Sequence, residues 1–225
     1  MVVNNLSDGR PRAASTAESA YIEGPVGRIA LLLDQASRPG VGVAIIAHPQ
    51  PLMGGSPRHK IPHRLAQATV GLGWQVYRPS FRGVGGSEGQ YDHGVGETED
   101  MLAVVAHARQ QHPGLPLALI GFSFGAYVMS RVASRLVGAG CEAKKVILLG
   151  LPVGDVPGGR NYDTEQVPAT TLVVHGENDN NAYLAQLMDW ARPQRLPVVV
   201  VPGADHFFSD SLDRLIALVV RELGC

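Results

Sequence analysis

Apolar runs of strand length recur along this chain between segments whose apolar residues fall at helical spacing, and the alternation is regular from Ala20 onward. The first three runs, 20–23 (AYIE), 27–35 (GRIALLLDQ) and 40–47 (GVGVAIIA), are divided by Gly-Pro and Arg-Pro-Gly turn signals and read as strands. The third is apolar along its length, as expected of a strand covered on both faces. A helix is expected over Ile61 to Gly71, followed by the strand 74–79 (WQVYRP). After a glycine-rich loop, 97–111 (ETEDMLAVVAHARQQ) carries acids in its first turn and apolar residues at helical spacing, which predicts an amphipathic helix. The pattern continues as strand 116–121, helix 126–138, strands 144–150 and 170–176, helix 182–191, strand 196–203 and a closing amphipathic helix 210–223.

Strands alternating with helices predict an α/β fold: a mostly parallel sheet of about eight strands with helices on both faces and an antiparallel start where the early turns are short. Ligands of such sheets sit beyond the C-terminal ends of the strands, so chemistry is sought there. No linker divides the chain, and 18–225 is expected to form a single domain preceded by a flexible leader, 1–17.

Composition narrows the class. At 225 residues and 45% hydrophobic, the chain can bury a core without disulfides or a structural metal. A formal net charge of −1 with interspersed acids and bases gives no field to gather nucleic acid or an anionic membrane. Cys141 and Cys225 form no disulfide framework, the leader lacks a signal-peptide apolar stretch, and no segment reaches membrane-spanning length. A cytoplasmic protein is expected.

Gly121-Phe122-Ser123-Phe124-Gly125 stands between a predicted strand and a predicted helix, the context that G-x-S-x-G requires. So sharp a turn forces its central residue into a strained backbone, while the glycines leave room for the neighbouring strand and helix. Ser123 is the candidate nucleophile, with the helix dipole at hand for an oxyanion.

Its base is chosen by placement among eight histidines. His206 follows the last predicted strand, on the strand-end edge that also carries Ser123, where a general base can reach the hydroxyl. Asp179 follows the strand 170–176 and is the candidate to hold the imidazole; Glu177 is the weaker candidate. His107 and His112 fall on a surface helix and its end, and His59, His63 and His93 in polar loops, so no metal site is expected. Arg82, in the glycine-rich loop 81–89, is read as anchored to nearby carbonyls or carboxylates, because the spacing departs from a nucleotide-binding turn and no cofactor is implied.

In order along the chain, HPQPLMGG, FRGVGGSEG, GFSFGA, HGEND and PGADHFF resemble the α/β-hydrolase superfamily from about Ala20 to the C-terminus. They are similar in particular to short bacterial serine hydrolases with an esterase-like activity. The resemblance implies the order Ser123, Asp179, His206, and an oxyanion hole built from the backbone N–H of Phe124 and of the loop after the third strand. Prolines at 49 and 51 leave Gln50 as the donor there, and His48 is expected to shape that turn. Many relatives insert a helical cap where this chain has only about twenty residues, 151–169, so an open site without a full cap is expected.

Leu52, Met53, Phe122, Phe124, Phe207 and Phe208 are candidate apolar walls. The expected activity is hydrolysis of small or accessible carboxylic esters through an acyl-enzyme, with a small-molecule ester as partner. A thioesterase, a lactone hydrolase and a non-catalytic binding scaffold stay open as alternatives, as does a homodimer.

Overall fold

The computed structural model describes residues 17–36 and 40–224. Residues 1–16 of the expected leader and Cys225 lie outside the described residues. Eight strands build the main sheet: β1 (Glu18–Gly24), β2 (Gly27–Asp34), β3 (Gly42–Ala47), β4 (Trp74–Pro79), β5 (Leu117–Phe122), β6 (Lys145–Leu149), β9 (Leu172–Gly176) and β10 (Val198–Val201), in the order β1-β2-β4-β3-β5-β6-β9-β10. A separate two-stranded hairpin, β7 (Gly154–Val156) and β8 (Arg160–Tyr162), lies between β6 and β9 in the chain. The β1–β2 and β2–β4 pairs are antiparallel and all later pairs of the main sheet are parallel; only β1–β2 is joined by a short early turn, as β3 and α1 lie between β2 and β4 in the chain.

Side-chain alternation sorts this sheet onto two cores. From β3, Val43, Ile45 and Ala47 face the layer of α2 (Val95–Gln111), α3 (Phe124–Gly138) and α4 (Leu184–Gln194), packing with Met101, Val104, Val132 and Leu187. Ala44 and Ile46 face the opposite layer of α1 (Lys60–Gly71) and α5 (Leu212–Leu223), with Ile61, Leu65, Leu215 and Val219. All six residues of β3 are buried, which explains its unbroken apolar run.

Two helices begin two residues earlier than their periodicity suggests. The Glu97 carboxylate accepts from the backbone N–H groups of Asp92 and Gly94, at 2.8 Å each, and so draws the start of α2 back to Val95. α3 begins at Phe124, directly on the turn that carries Ser123. No helix among the described residues is long and apolar enough to cross a membrane.

Polar tethers tie the loops to α2 and to the sheet. Arg82 meets both Asp100 oxygens at 2.8 Å and the Gly96 carbonyl at 2.8 Å, the carbonyl-and-carboxylate anchoring expected of it. Arg78, on β4, donates from Nε and Nη2 to Asp34 at 2.7 and 2.9 Å and from Nη1 to the Pro57 carbonyl at 2.7 Å, all buried. The last bond fixes the approach to α1, which borders the site. Asp34→Ala leaves that guanidinium buried without its counter-ion, so a loss of about 3–5 kcal/mol is expected in chemical denaturation. Asp34→Leu with Arg78→Met should recover most of it; a single variant as stable as the native chain would show that the pair does not hold this edge.

Candidate active site

Because β3, β5, β6, β9 and β10 all run parallel, the loops leaving them emerge on one edge. Ser123 stands there at φ 56° and ψ −122°, a positive φ that a non-glycine residue adopts only under constraint. Its N–H donates to the Leu149 carbonyl at 2.8 Å, extending the sheet ladder into the turn. A side chain at Gly121 would collide with the backbone of Gly125 and Ala126, and one at Gly125 with the Ala47 and His48 carbonyls. Both glycines thus let α3 start against the strand ends.

Three side chains from separate loops form one hydrogen-bonded line. His206 Nε2 lies 2.9 Å from Ser123 Oγ, and His206 Nδ1 lies 2.6 Å from Asp179 Oδ2. Asp179 is buried, and its Oδ1 accepts from the N–H groups of Asn181 and Ala182 at 2.9 and 2.8 Å. One carboxylate oxygen is therefore held by backbone and the other is directed at the imidazole. Glu177 is exposed and accepts from the Gly203 N–H at 2.8 Å, while the imidazole of His206 bonds to Asp179 and Ser123. His175 is buried beneath the acid, its Nε2 2.9 Å from the Ala182 carbonyl and 3.5 Å from Asp179 Oδ2; burial lowers its pKa.

His48 shapes the loop after β3. Its Nε2 accepts from the Phe81 N–H at 3.0 Å, which leaves the proton on Nδ1 to donate to the Pro49 carbonyl at 2.8 Å. The ring is fully buried, and desolvation lowers its pKa from 6.5 to about 4 despite the bond to Pro49. The unfolded chain therefore takes up a proton at this position before the folded one does. The stability contributed by keeping His48 neutral is complete above 6.5 and lost as pH falls toward about 4, a span worth about 3 kcal/mol. Urea unfolding at about pH 7 and about pH 4.5 should show His48→Asn losing less stability on acidification than the native chain. Equal losses would mean that His48 is not the group responsible.

This tether presents Gln50 to the cleft that holds Ser123. Among the described residues the backbone N–H of Gln50 has no protein acceptor, and that of Phe124, first in α3, has none within its helix. Among the described residues no three His, Cys, Asp or Glu side chains are grouped to hold a metal.

Residues 58–153, which include the Ser123 turn, match the family model described as serine aminopeptidase, S33. A structure of XC6422 from Xanthomonas campestris, described as an α/β serine hydrolase without lid, is 32% identical, superposes with a TM-score of 0.80, and covers 95% of this chain and 96% of that one. An α/β serine hydrolase homologue from Coxiella burnetii is 35% identical with a TM-score of 0.81, covering 92% and 98%. The chain belongs to the α/β-hydrolase superfamily. A further relative, the uncharacterized protein RP471 of Rickettsia prowazekii (strain Madrid E), is 32% identical over 199 residues, 84% of this chain and 81% of that protein.

Like its lid-less relative, this α/β hydrolase has no helical cap among its described residues; the hairpin β7–β8 stands in the segment 151–169. The cleft beside Ser123 encloses about 550 Å³ including its open mouth. Met53 and Phe207 line it. Leu52 does not: it is 68% exposed on the single 3-10 turn Pro51–Met53. Phe122 is fully buried on the α1/α5 side with Ala118 and Ile120, because strand alternation turns it away from the cleft; there it underlies the rings of His206 and Phe207. Phe124 and Phe208 are likewise core residues.

The hydrolase completes its cleft with residues outside the sequence expectations: His59, Pro152, Val156, Arg160, Tyr162 and Asn181. The turn signal Pro157-Gly158-Gly159 could have revealed the hairpin. His59, grouped with the loop histidines, caps the start of α1, and burial followed by the nearby His206 lowers its pKa.

Proposed function

We propose that this hydrolase cleaves carboxylic esters through an acyl-enzyme formed on Ser123. The observation that carries this reading is the continuous line from Ser123 Oγ through both nitrogens of His206 to the buried Asp179. His206 Nε2 takes the hydroxyl proton as Oγ attacks the acyl carbon, and Asp179 holds the Nδ1–H tautomer and stabilises the imidazolium. The N–H groups of Gln50 and Phe124, with the positive end of α3, receive the charge developing on the carbonyl oxygen. His206 then protonates the leaving alcohol, and a water activated by the same imidazole releases the acid and restores the serine. Thioesters and lactones pass through the same steps; the open cleft suits accessible acyl groups.

A fluorophosphonate probe tests the reading directly. Stoichiometric labelling of the peptide containing Ser123, with p-nitrophenyl acetate turnover lost in proportion, is expected. Turnover that survives full exposure to the probe, or a label on another residue, would favour a non-catalytic role for this site.

A further inference from the structure

Arg160 is the sole fixed charge among the described residues lining the cleft, and among the described residues no carboxylate is paired with it. It is held in place without being consumed. Nη2 donates to the Pro157 carbonyl at 2.9 Å and Nη1 to the Tyr162 hydroxyl at 3.3 Å, which leaves the rest of its five N–H donors unassigned. In the antiparallel hairpin Val156 pairs with Arg160, so Val156, Arg160 and Tyr162 share the cleft face while Asp155 and Asn161 bond to each other on the other face.

Tyr162 supplies a second donor. Gln50 Oε1 faces the Leu52 N–H at 3.4 Å, which turns Nε2 toward the tyrosines, where it donates to Tyr162 at 3.1 Å and to Tyr91 at 3.3 Å. The Tyr162 oxygen thus accepts from Gln50 and from Arg160, and its lone pairs are filled. Its own proton is left to donate, yet the residue is only 4% exposed and no acceptor among the described residues receives it. A buried phenol in that state directs its proton at whatever occupies the cleft.

We propose that Arg160 and the Tyr162 hydroxyl dock a carboxylate carried by the ester substrate, so that the substrate class is a carboxylate-bearing ester; this rests on the acyl-transfer reading above. Two donors 3.3 Å apart suit the two oxygens of one carboxylate, and a single guanidinium balances a single negative charge. A phosphate dianion would leave one charge unmatched. The carboxylate can reside on the acyl or on the alcohol side of the scissile bond.

Two pairs of isosteric esters separate these sources by pH-stat: monoethyl glutarate against ethyl 4-carbamoylbutanoate for the acyl side, and 4-acetoxybutanoate against 4-acetoxybutanamide for the alcohol side. In at least one pair, kcat/KM for the carboxylate should exceed that for its amide about tenfold, chiefly through KM. Arg160→Met should bring that ratio close to one, and Arg160→Lys should keep part of it. Each ratio is measured on one preparation, so misfolded protein cancels. A ratio of one or less in both pairs, a ratio unchanged in Arg160→Met, or no turnover of either pair overturns the carboxylate site alone when fluorophosphonate still labels Ser123. Without that label, the acyl-transfer reading falls and this inference falls with it.

Discussion

Ser123→Ala is expected to lower ester turnover about 10^6-fold, and adding His206→Ala should lower it no further. In the proposed mechanism the two side chains act as a unit: without the hydroxyl 2.9 Å from Nε2 there is no proton for His206 to remove. A residual rate above that of water is expected, because Gln50 and Phe124 still offer their N–H groups. Stopped-assay kinetics on the two variants would decide the matter. Additive losses would mean that Ser123 and His206 act in separate steps.

Asp179→Asn should cost about 10^4-fold in kcat with little loss of fold. The two backbone N–H groups of Asn181 and Ala182 hold whichever side-chain atom accepts, so the amide oxygen of the substituted side chain would stay on them. Its NH2 would then take the place of Oδ2, 2.6 Å from His206 Nδ1, and drive the imidazole proton to Nε2. In that tautomer the ring cannot accept from Ser123. Glu177→Gln keeps an acceptor for Gly203 on an exposed edge and should alter turnover by less than about twofold. The reverse ranking, with Glu177→Gln the slow variant, would move the acid to Glu177.

The elements that carry these side chains were legible because each announces itself locally. GVGVAIIA reads as a covered strand, and β3 is buried on both faces. GFSFGA reads as a turn from strand to helix, and both its glycines abut backbone. The ends of β9 and β10 place Asp179 and His206 beside Ser123 because parallel strands deliver their loops to one edge. What escaped was set by tertiary packing. Strands of three residues, as in β7 and β8, are too short for a hydrophobic period, so Val156, Arg160 and Tyr162 gave no sign of facing the cleft. Composition marks Phe122 as apolar without saying which face of β5 it takes, and the structure buries it on the α1/α5 side. His59 is one histidine among eight until α1 is set against the sheet.

The backbone at Ser123 has an evolutionary consequence. Holding a side-chain-bearing residue at φ 56° stores about 1–3 kcal/mol that the rest of the fold must offset. Under selection for heat resistance alone, position 123 would drift to glycine, which tolerates that geometry. On the acyl-transfer reading, selection for turnover keeps it serine, and thermal tolerance has to come from sites remote from the turn. Heat tolerance and turnover therefore pull this one codon in opposite directions.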